Sequence, residues 1–126
     1  MRKEARLAAS KDFEIVYRKG RAVKNKEFVL YILKKESPGL RIGISVSRKI
    51  GPAVVRNRIK RLIREAFRRN ETVMERGYDL VLIARRAARE KSFHEVEKAF
   101  IDVITKAGLF RGKGRNRDEK DTNRSN

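Results

Sequence analysis

The alternation of apolar and polar side chains predicts a small sheet. From Leu40 to Val46 apolar and polar positions alternate strictly, as expected of a strand with one buried face. Residues 27–35 carry apolar side chains at both odd and even positions, which predicts a strand covered on both faces. Because only the turn-like sequence ESPG separates these two runs, we expect them to form a hairpin. Residues 78–84 predict a buried strand, and residues 20–26 a loop or a short edge strand.

The first and last helices are predicted from their caps and apolar stripes. Residues 11–19 have helical periodicity, and Ser10 is placed to cap their first turn. Residues 93–107 carry a second apolar stripe. Ser92 and Glu95 have the spacing of a capping box, in which each side chain accepts a hydrogen bond from the other residue's backbone N–H. Both segments are therefore expected to be amphipathic helices that pack on the sheet.

A long basic helix is predicted over residues 53–70. At about 100° per residue, an arc of roughly 140° is apolar and is expected to pack on the sheet; it holds Val55, Ile59, Leu62, Ile63, Ala66 and Phe67. The opposite arc, of roughly 100°, holds Asn57, Lys60, Arg61, Arg64 and Arg68. Arg56 and Arg58 flank Asn57, so these three side chains splay around the first turn.

These elements predict a single small domain, an α/β (α+β) sandwich. The order is α-β-β-(β)-α-β-α, where the bracketed element is the short edge strand. We expect a basic, flexible N-terminus over residues 1–9 and a folded domain over residues 10–109. Residues 110–126 are expected to form a disordered basic and polar tail, because almost nothing apolar is left to bury there.

The charge of the chain indicates a polyanionic partner. Its 126 residues include 34 Lys and Arg against 16 Asp and Glu, a formal net charge of +18. The basic helix has seven cations and one acid, Glu65, although like charges three or four residues apart destabilise a helix. A bound polyanion would offset that repulsion. The alternatives are a solvated cationic face and a membrane-surface helix, which is disfavoured because the apolar face lacks Trp and is needed by the sheet.

The residues of a hydrolytic or metal site are scarce. There is no cysteine, and the one histidine, His94, lies inside the predicted capping box as a surface residue. Asp79 and Asp102 are interpreted as isolated acids, so we expect no catalytic residue and no metal or cofactor held by the protein itself. The chain shows neither a signal peptide nor an apolar run long enough to span a bilayer, which predicts a cytoplasmic protein without a membrane partner.

Two other functions remain open on these residues alone. A ribosomal or other structural RNA-binding protein would share the charge and the basic helix. A DNA-binding regulator would place that helix in a major groove, usually beside a second helix of a helix-turn-helix, whereas strands flank this one.

The basic helix and its lead-in resemble a known family signature. SVSRKIGPAVVRNRIKRLIREAF, residues 45–67, is similar to the signature of the protein subunit of bacterial ribonuclease P, which centres on an Arg-Asn-Arg helix. KDFEIVYRKG resembles the first helix of that family, EFVLYIL its aromatic-bearing strand and GYDLVLIAR its last strand. The resemblance covers residues 6–109.

The resemblance implies a function in tRNA maturation. It implies an endoribonuclease holoenzyme that removes the 5′ leader from precursor tRNA, in which the RNA subunit is the catalyst and uses Mg²⁺. The protein would favour precursor over mature tRNA and need no protein partner. The resemblance also implies a left-handed crossover through the basic helix, against the usual right-handed rule.

The resemblance further implies two binding surfaces. The residues assigned to the surface that binds the catalytic RNA are Arg56, Asn57, Arg58, Lys60, Arg61, Arg64 and Arg68. A cleft for the precursor leader would comprise Phe13, Tyr17, Tyr31, Arg41, Ser45, Arg48 and Lys49. The residue pattern alone favours the core for Phe13 and Tyr17, which stand one helical turn apart; the resemblance favours the cleft, where aromatic rings can stack on bases.

Overall fold

The computed structural model describes residues 3–111 of the chain. The principal elements follow the predicted order, with each strand and helix within a residue or two of its predicted bounds. They are α1 (Ser10–Lys19), β1 (Arg21–Lys24), β2 (Phe28–Lys34), β3 (Leu40–Val46), α2 (Ala53–Asn70), β4 (Tyr78–Ala84) and α3 (Phe93–Lys106). None of the helices within residues 3–111 is long and apolar enough to cross a membrane.

The four strands form one sheet in the order β1-β2-β4-β3. The last strand, β4, therefore lies in the middle, antiparallel to β2 and parallel to β3. The short strand β1 pairs antiparallel with β2 and forms one edge, which confirms the edge-strand alternative for residues 20–26.

The predicted hairpin between β2 and β3 is wrong, because β4 inserts between them. The turn that joins β2 to β3 passes over the start of β4 and is hydrogen-bonded to it. The Lys35 N–H donates to the Gly77 carbonyl at 2.8 Å, and the Gly77 N–H donates to the Gly39 carbonyl at 2.9 Å. A turn signal shows where the chain bends but not which strand fills the gap. The parallel pair β3 and β4 is joined through α2, and the left-handed sense of this crossover stays a prediction.

The two faces of the sheet are covered by different helices. The main core lies between the sheet and the pair α2 and α3, where Phe28, Leu30, Ile42, Leu80 and Leu82 alternate inward from the strands. A smaller cluster lies on the other face under α1, built around Val16 and Val81. The sequence therefore folds as a sandwich whose α1 face is only partly closed.

One of the two predicted helix caps is present. The Ser92 hydroxyl accepts from the Glu95 N–H at 3.1 Å, and the Glu95 carboxylate accepts from the Ser92 N–H at 2.9 Å, which confirms the capping box. Ser10 is instead the first residue of α1, and its N-cap, Ala9, makes no side-chain bond, so the predicted Ser10 cap is wrong.

The described part of the N-terminus packs on the domain rather than lying loose. Ala5 and Leu7 are buried, Arg6 bridges to Ile42 of β3, and the Leu7 N–H donates to the Ile42 carbonyl at 3.0 Å. The prediction of a flexible segment over residues 1–9 is thus wrong for residues 5–7, whose apolar side chains at alternate positions fill the space beside β3. At the other end Phe110 bridges to Met74 and the Arg111 N–H donates to the Val73 carbonyl at 2.8 Å, so the prediction of a disordered tail over residues 110–126 is wrong for residues 110 and 111. The rest of that tail lies outside the described residues.

Candidate nucleic-acid interface

Helix α2 separates an apolar face from a polar one, as its periodicity predicts. Its buried side chains are Ile59, Ile63, Ala66 and Phe67, which pack on the sheet and on α3. Asn57 and Arg61 are exposed on the opposite face, and within residues 3–111 neither side chain has a hydrogen bond or an ion pair. The two side chains can therefore accept a binding partner without breaking a contact of the domain.

The two arginines that flank Asn57 are anchored on the protein. The Arg56 Nε donates to the Gly51 carbonyl at 3.1 Å, just before the helix. The Arg58 Nη2 donates to the Lys91 carbonyl at 2.9 Å, in the segment that leads into α3. Both guanidinium groups are half-buried and bonded to uncharged carbonyls, so their positive charge remains available to an anion.

Among residues 3–111, carboxylates balance the charge of α2 only at its C-terminal end. The Arg68 Nη2 lies 2.6 Å from the Glu65 carboxylate, and the Arg69 Nε lies 2.9 Å from that of Glu97 on α3. Hydrogen bonding from Arg68 holds the pKa of Glu65 below its usual value. The other five cations have no carboxylate partner within residues 3–111; they are Arg56, Arg58, Lys60, Arg61 and Arg64.

Three aromatic rings form a connected cluster on the α1 face. The ring centres of Phe13 and Tyr17 lie 6.4 Å apart and those of Tyr17 and Tyr31 lie 5.1 Å apart, both edge to face. The Tyr17 side chain is 39% exposed, and Phe13 and Tyr31 are half-buried. Burial raises the pKa of Tyr17, while a hydrogen bond with Ser45 partly offsets it. Phe13, Tyr17, Tyr31 and Ser45 are thus brought together and left partly accessible.

Arg41 lies on the same face but is held by carboxylates. Its Nε and Nη2 donate to Asp79 at 2.9 and 2.8 Å, and its Nη1 lies 3.6 Å from Asp12 of α1. Lys35 also lies 3.1 Å from Asp79. Burial by itself raises the pKa of Asp79, but hydrogen bonds from Arg41 and Lys35 outweigh it and hold that pKa below its usual value.

This cluster corrects the interpretation of Asp79 as an isolated acid. Sequence reasoning missed Asp12, Lys35 and Asp79 as neighbours of the cleft. One signal was present, since β3 and β4 alternate in the same sense and both carry a charge on the face away from the main core. Using that signal required knowing that β3 and β4 are adjacent, and no local sequence pattern shows which strands pair.

Two residues assigned to the catalytic-RNA surface lie where it meets the aromatic cluster. Lys60 and Arg64 line an open pocket of about 270 Å³ together with Phe13 and Arg6, at the outer edge of β3. The Arg64 Nε is buried without a hydrogen-bond partner in the described part of the chain. The two predicted surfaces are therefore continuous around the edge of β3.

The remaining predicted residues lie in the turn after β3 and on the surface. Arg48 and Lys49 are exposed, two and three residues beyond the end of the strand. His94 is exposed on α3, as predicted. Asp102 accepts a hydrogen bond from Asn25 at 2.9 Å and is not isolated. Within residues 3–111 no group of three His, Cys, Asp or Glu side chains is placed to hold a metal ion.

The chain superposes on solved structures of RNase P proteins. A Staphylococcus aureus RNase P protein, described as a mutant with defective mRNA degradation activity, superposes with a TM-score of 0.81 and 37% identity, over 86% of this chain and 92% of that one. The RNase P protein of Thermotoga maritima superposes with a TM-score of 0.75 and 33% identity, over 80% of this chain and 96% of that one.

The sequence comparisons agree with the structural ones. The family model for ribonuclease P matches residues 1–108. The ribonuclease P protein component of Clostridium botulinum (strain 657 / Type Ba4) is 45% identical over 109 residues, which cover 86% of this chain and 98% of the relative. Together with the basic α2 helix, these matches show that the chain belongs to the bacterial ribonuclease P protein family, the protein subunit that works with ribonuclease P RNA in 5′ processing of tRNA.

Proposed function

We propose that the protein binds ribonuclease P RNA through the exposed face of α2 and the 5′ leader of precursor tRNA through the aromatic cluster on the α1 face. The RNA subunit carries out the cleavage with Mg²⁺, in the cytoplasm. By adding contacts that mature tRNA lacks, the protein makes the holoenzyme favour precursor over product.

The observation that carries this proposal is the separation of two accessible surfaces of different chemistry. On α2, five cations that have no carboxylate partner within residues 3–111 lie along the same helix as Asn57, an arrangement suited to a folded RNA with closely spaced phosphates. On the α1 face, partly exposed rings suit unpaired bases, each of which contributes about 1–3 kcal/mol when it stacks on an aromatic side chain. A ribosomal or structural RNA-binding protein would need the first surface but not the second.

The proposal that catalysis belongs to the RNA rests on the acids of the protein. Asp79 is buried and shared by two cations, so its oxygens are occupied. Magnesium sites use one or two carboxylates together with phosphate oxygens and water, and within residues 3–111 no group of three His, Cys, Asp or Glu side chains is placed to hold a metal ion. The protein contributes binding and positioning, whereas the metal chemistry takes place among RNA phosphates.

Reconstitution tests the assignment most simply. Ribonuclease P RNA is titrated with the purified protein, and cleavage of precursor tRNA is followed at a Mg²⁺ concentration too low for the RNA alone. We expect protein-dependent cleavage that yields the mature 5′ end. No gain at any Mg²⁺ concentration, despite binding of the RNA, would contradict the proposal.

The isolated protein supplies a second test. Nuclease-treated protein, free of RNA, is incubated with precursor tRNA and with an mRNA in the presence of Mg²⁺. We expect neither substrate to be cleaved. The mRNA is included because the S. aureus relative is described as a mutant with defective mRNA degradation activity. Cleavage of either substrate by protein that carries no RNA would show that the protein has a catalytic site of its own, and would contradict the proposal.

A further inference from the structure

The ring of Phe13 rests on a glycine in the middle of β3. A Cβ atom on residue 43 would lie 2.4 Å from the Phe13 Cζ, closer than real carbon contacts allow, and 2.9 and 3.0 Å from the two Cε atoms. Gly43 itself is buried, and its neighbours on the same face, Arg41 and Ser45, carry side chains. The ring therefore occupies the space that any other residue at position 43 would fill.

Helix α1, which carries Phe13, also contacts β3 through Arg41, two residues before Gly43. Arg41 precedes Gly43 on this face of β3, and its Nη1 lies 3.6 Å from Asp12, the residue before Phe13. The other side of the guanidinium group is fixed by two hydrogen bonds to buried Asp79. Arg41 thus links the centre of the sheet to the first turn of α1, with its charge already shared by two carboxylates.

We propose that Gly43 and Arg41 are positioning residues that set the place of the Phe13 ring for a leader base, and that Arg41 does not itself contact the RNA. Gly43 leaves room for the ring to pack directly on the backbone of β3, and Arg41 holds the first turn of α1 in place through its ion pair with Asp12. This inference rests on the proposed leader cleft. It changes the role of Arg41 from the direct contact that the resemblance implies to an indirect one.

The glycine is tested by a double-mutant cycle in the reconstituted holoenzyme. Gly43→Ala, Phe13→Ala and the double variant are compared for affinity toward precursor tRNA with a leader and toward mature tRNA. Gly43→Ala should displace the ring and weaken precursor binding by about fivefold or more, with mature tRNA unaffected. The double variant should bind like Phe13→Ala alone, since the new methyl group then meets no ring and the two losses do not add.

A second glycine serves as the control. Gly39 lies in the turn before β3, where a Cβ atom would be 3.7 Å from its nearest neighbour, so Gly39→Ala should leave both affinities unchanged. If Gly43→Ala prevents folding, the double variant, in which the ring is gone, should fold again and bind like Phe13→Ala. A double variant that binds precursor much more weakly than Phe13→Ala, or a Gly43→Ala variant that binds like wild type, would overturn the role of Gly43.

The role of Arg41 is tested by removing the charge of its partner Asp12 and measuring whether precursor binding becomes tighter or weaker. Asp12→Asn removes a negative charge near the cleft, which would strengthen binding if electrostatic attraction of the leader were all that mattered. If Asp12 positions α1 through Arg41, the same change should weaken binding of the precursor by about two- to fivefold, as expected for losing an exposed ion pair. Tighter binding by Asp12→Asn would overturn the positioning role.

The salt dependence of binding also distinguishes a direct contact between Arg41 and the RNA from a positioning role. For Arg41→Gln we expect weaker leader binding with an unchanged slope of log affinity against log salt concentration, whereas loss of a phosphate contact to a single strand would reduce that slope by about 0.7. The proposed function fails in a different way, namely if Phe13→Ala itself has no effect that depends on the leader. If Phe13→Ala shows the effect and the Gly43 and Asp12 variants do not, only the present inference fails.

Discussion

At the scale of single residues, arginines that look equivalent in the sequence have different roles because their partners differ. Arg61 is exposed and has no partner in the described part of the chain, whereas Arg58 donates to the Lys91 carbonyl and joins α2 to the segment before α3. Sequence periodicity places both on or beside the polar face of α2. It does not show which guanidinium group also supports the fold.

The two arginines should therefore respond differently to replacement by alanine. Arg61→Ala should weaken assembly with ribonuclease P RNA by about 1–3 kcal/mol, the range of a charge-assisted hydrogen bond, and change the free energy of unfolding by less than about 0.5 kcal/mol. Arg58→Ala should also weaken assembly and, because its hydrogen bond to the Lys91 carbonyl is lost, lower the free energy of unfolding by about 1 kcal/mol. Urea unfolding and RNA titration measure the two quantities. Equal destabilisation by both changes would refute this distinction.

The buried carboxylate of Asp79 should make stability depend on pH in acid. Its pKa in the folded protein is below the usual value, so the unfolded chain binds the proton more readily. The stabilisation is thus complete above the unfolded pKa of about 4 and is lost as the pH falls through the folded pKa. Asp79→Asn should unfold more easily at pH 7, by about 2–3 kcal/mol, because Arg41 and Lys35 lose their charged partner.

The pH profile distinguishes this group from the other acids. Glu65, Glu95 and Glu97 also have lowered pKa values and titrate in both proteins, so their contributions cancel in the difference between wild type and Asp79→Asn. We expect that difference in unfolding free energy to shrink as the pH drops below about 4. A difference that stays constant down to pH 2 would show that the Asp79 charge does not stabilise the fold.

At the scale of elements, the extent of each helix and strand could be predicted, but the pairing of the strands could not. Alternation fixed β3 from Leu40 to Val46, and helical periodicity fixed α2 from Ala53 to Asn70. These patterns are local, because burial of one face repeats every two or 3.6 residues. The position of β4 between β2 and β3 depends on contacts between residues far apart in the chain, which no local pattern records.

The caps give a matched test at this scale. Ser92→Ala should lower the free energy of unfolding by about 1 kcal/mol, since the first turn of α3 loses a hydrogen bond to the Glu95 N–H. Ser10→Ala should change it by less than about 0.5 kcal/mol, because Ser10 makes no capping bond in α1. Thermal or urea unfolding of the two variants measures both values. A loss as large for Ser10 as for Ser92 would contradict the cap assignment.

At the scale of the whole molecule, the predicted site residues fall on two surfaces that meet at the edge of β3. The face of α2 could be predicted because its cations follow one helical pattern, and the resemblance supplied the aromatic residues. The ion pairs around Asp79 could not be predicted, because they join residues from α1, β3, β4 and the turn after β2. The pocket shared by Phe13, Lys60 and Arg64 likewise exists only once α1 and α2 lie on opposite faces of the sheet.

The central claim is that these two surfaces bind different RNAs. Its most direct test measures the affinity of holoenzymes reconstituted with wild type, Phe13→Ala or Arg61→Ala for tRNAs with leaders of increasing length, with assembly titrated separately. Phe13→Ala should lose about 1–3 kcal/mol only for precursors with a leader long enough to reach the cleft, and assemble normally. Arg61→Ala should weaken assembly and its salt dependence without any effect of leader length. Equal losses for precursor and mature tRNA in Phe13→Ala would show that the ring only supports the fold, and would contradict the claim.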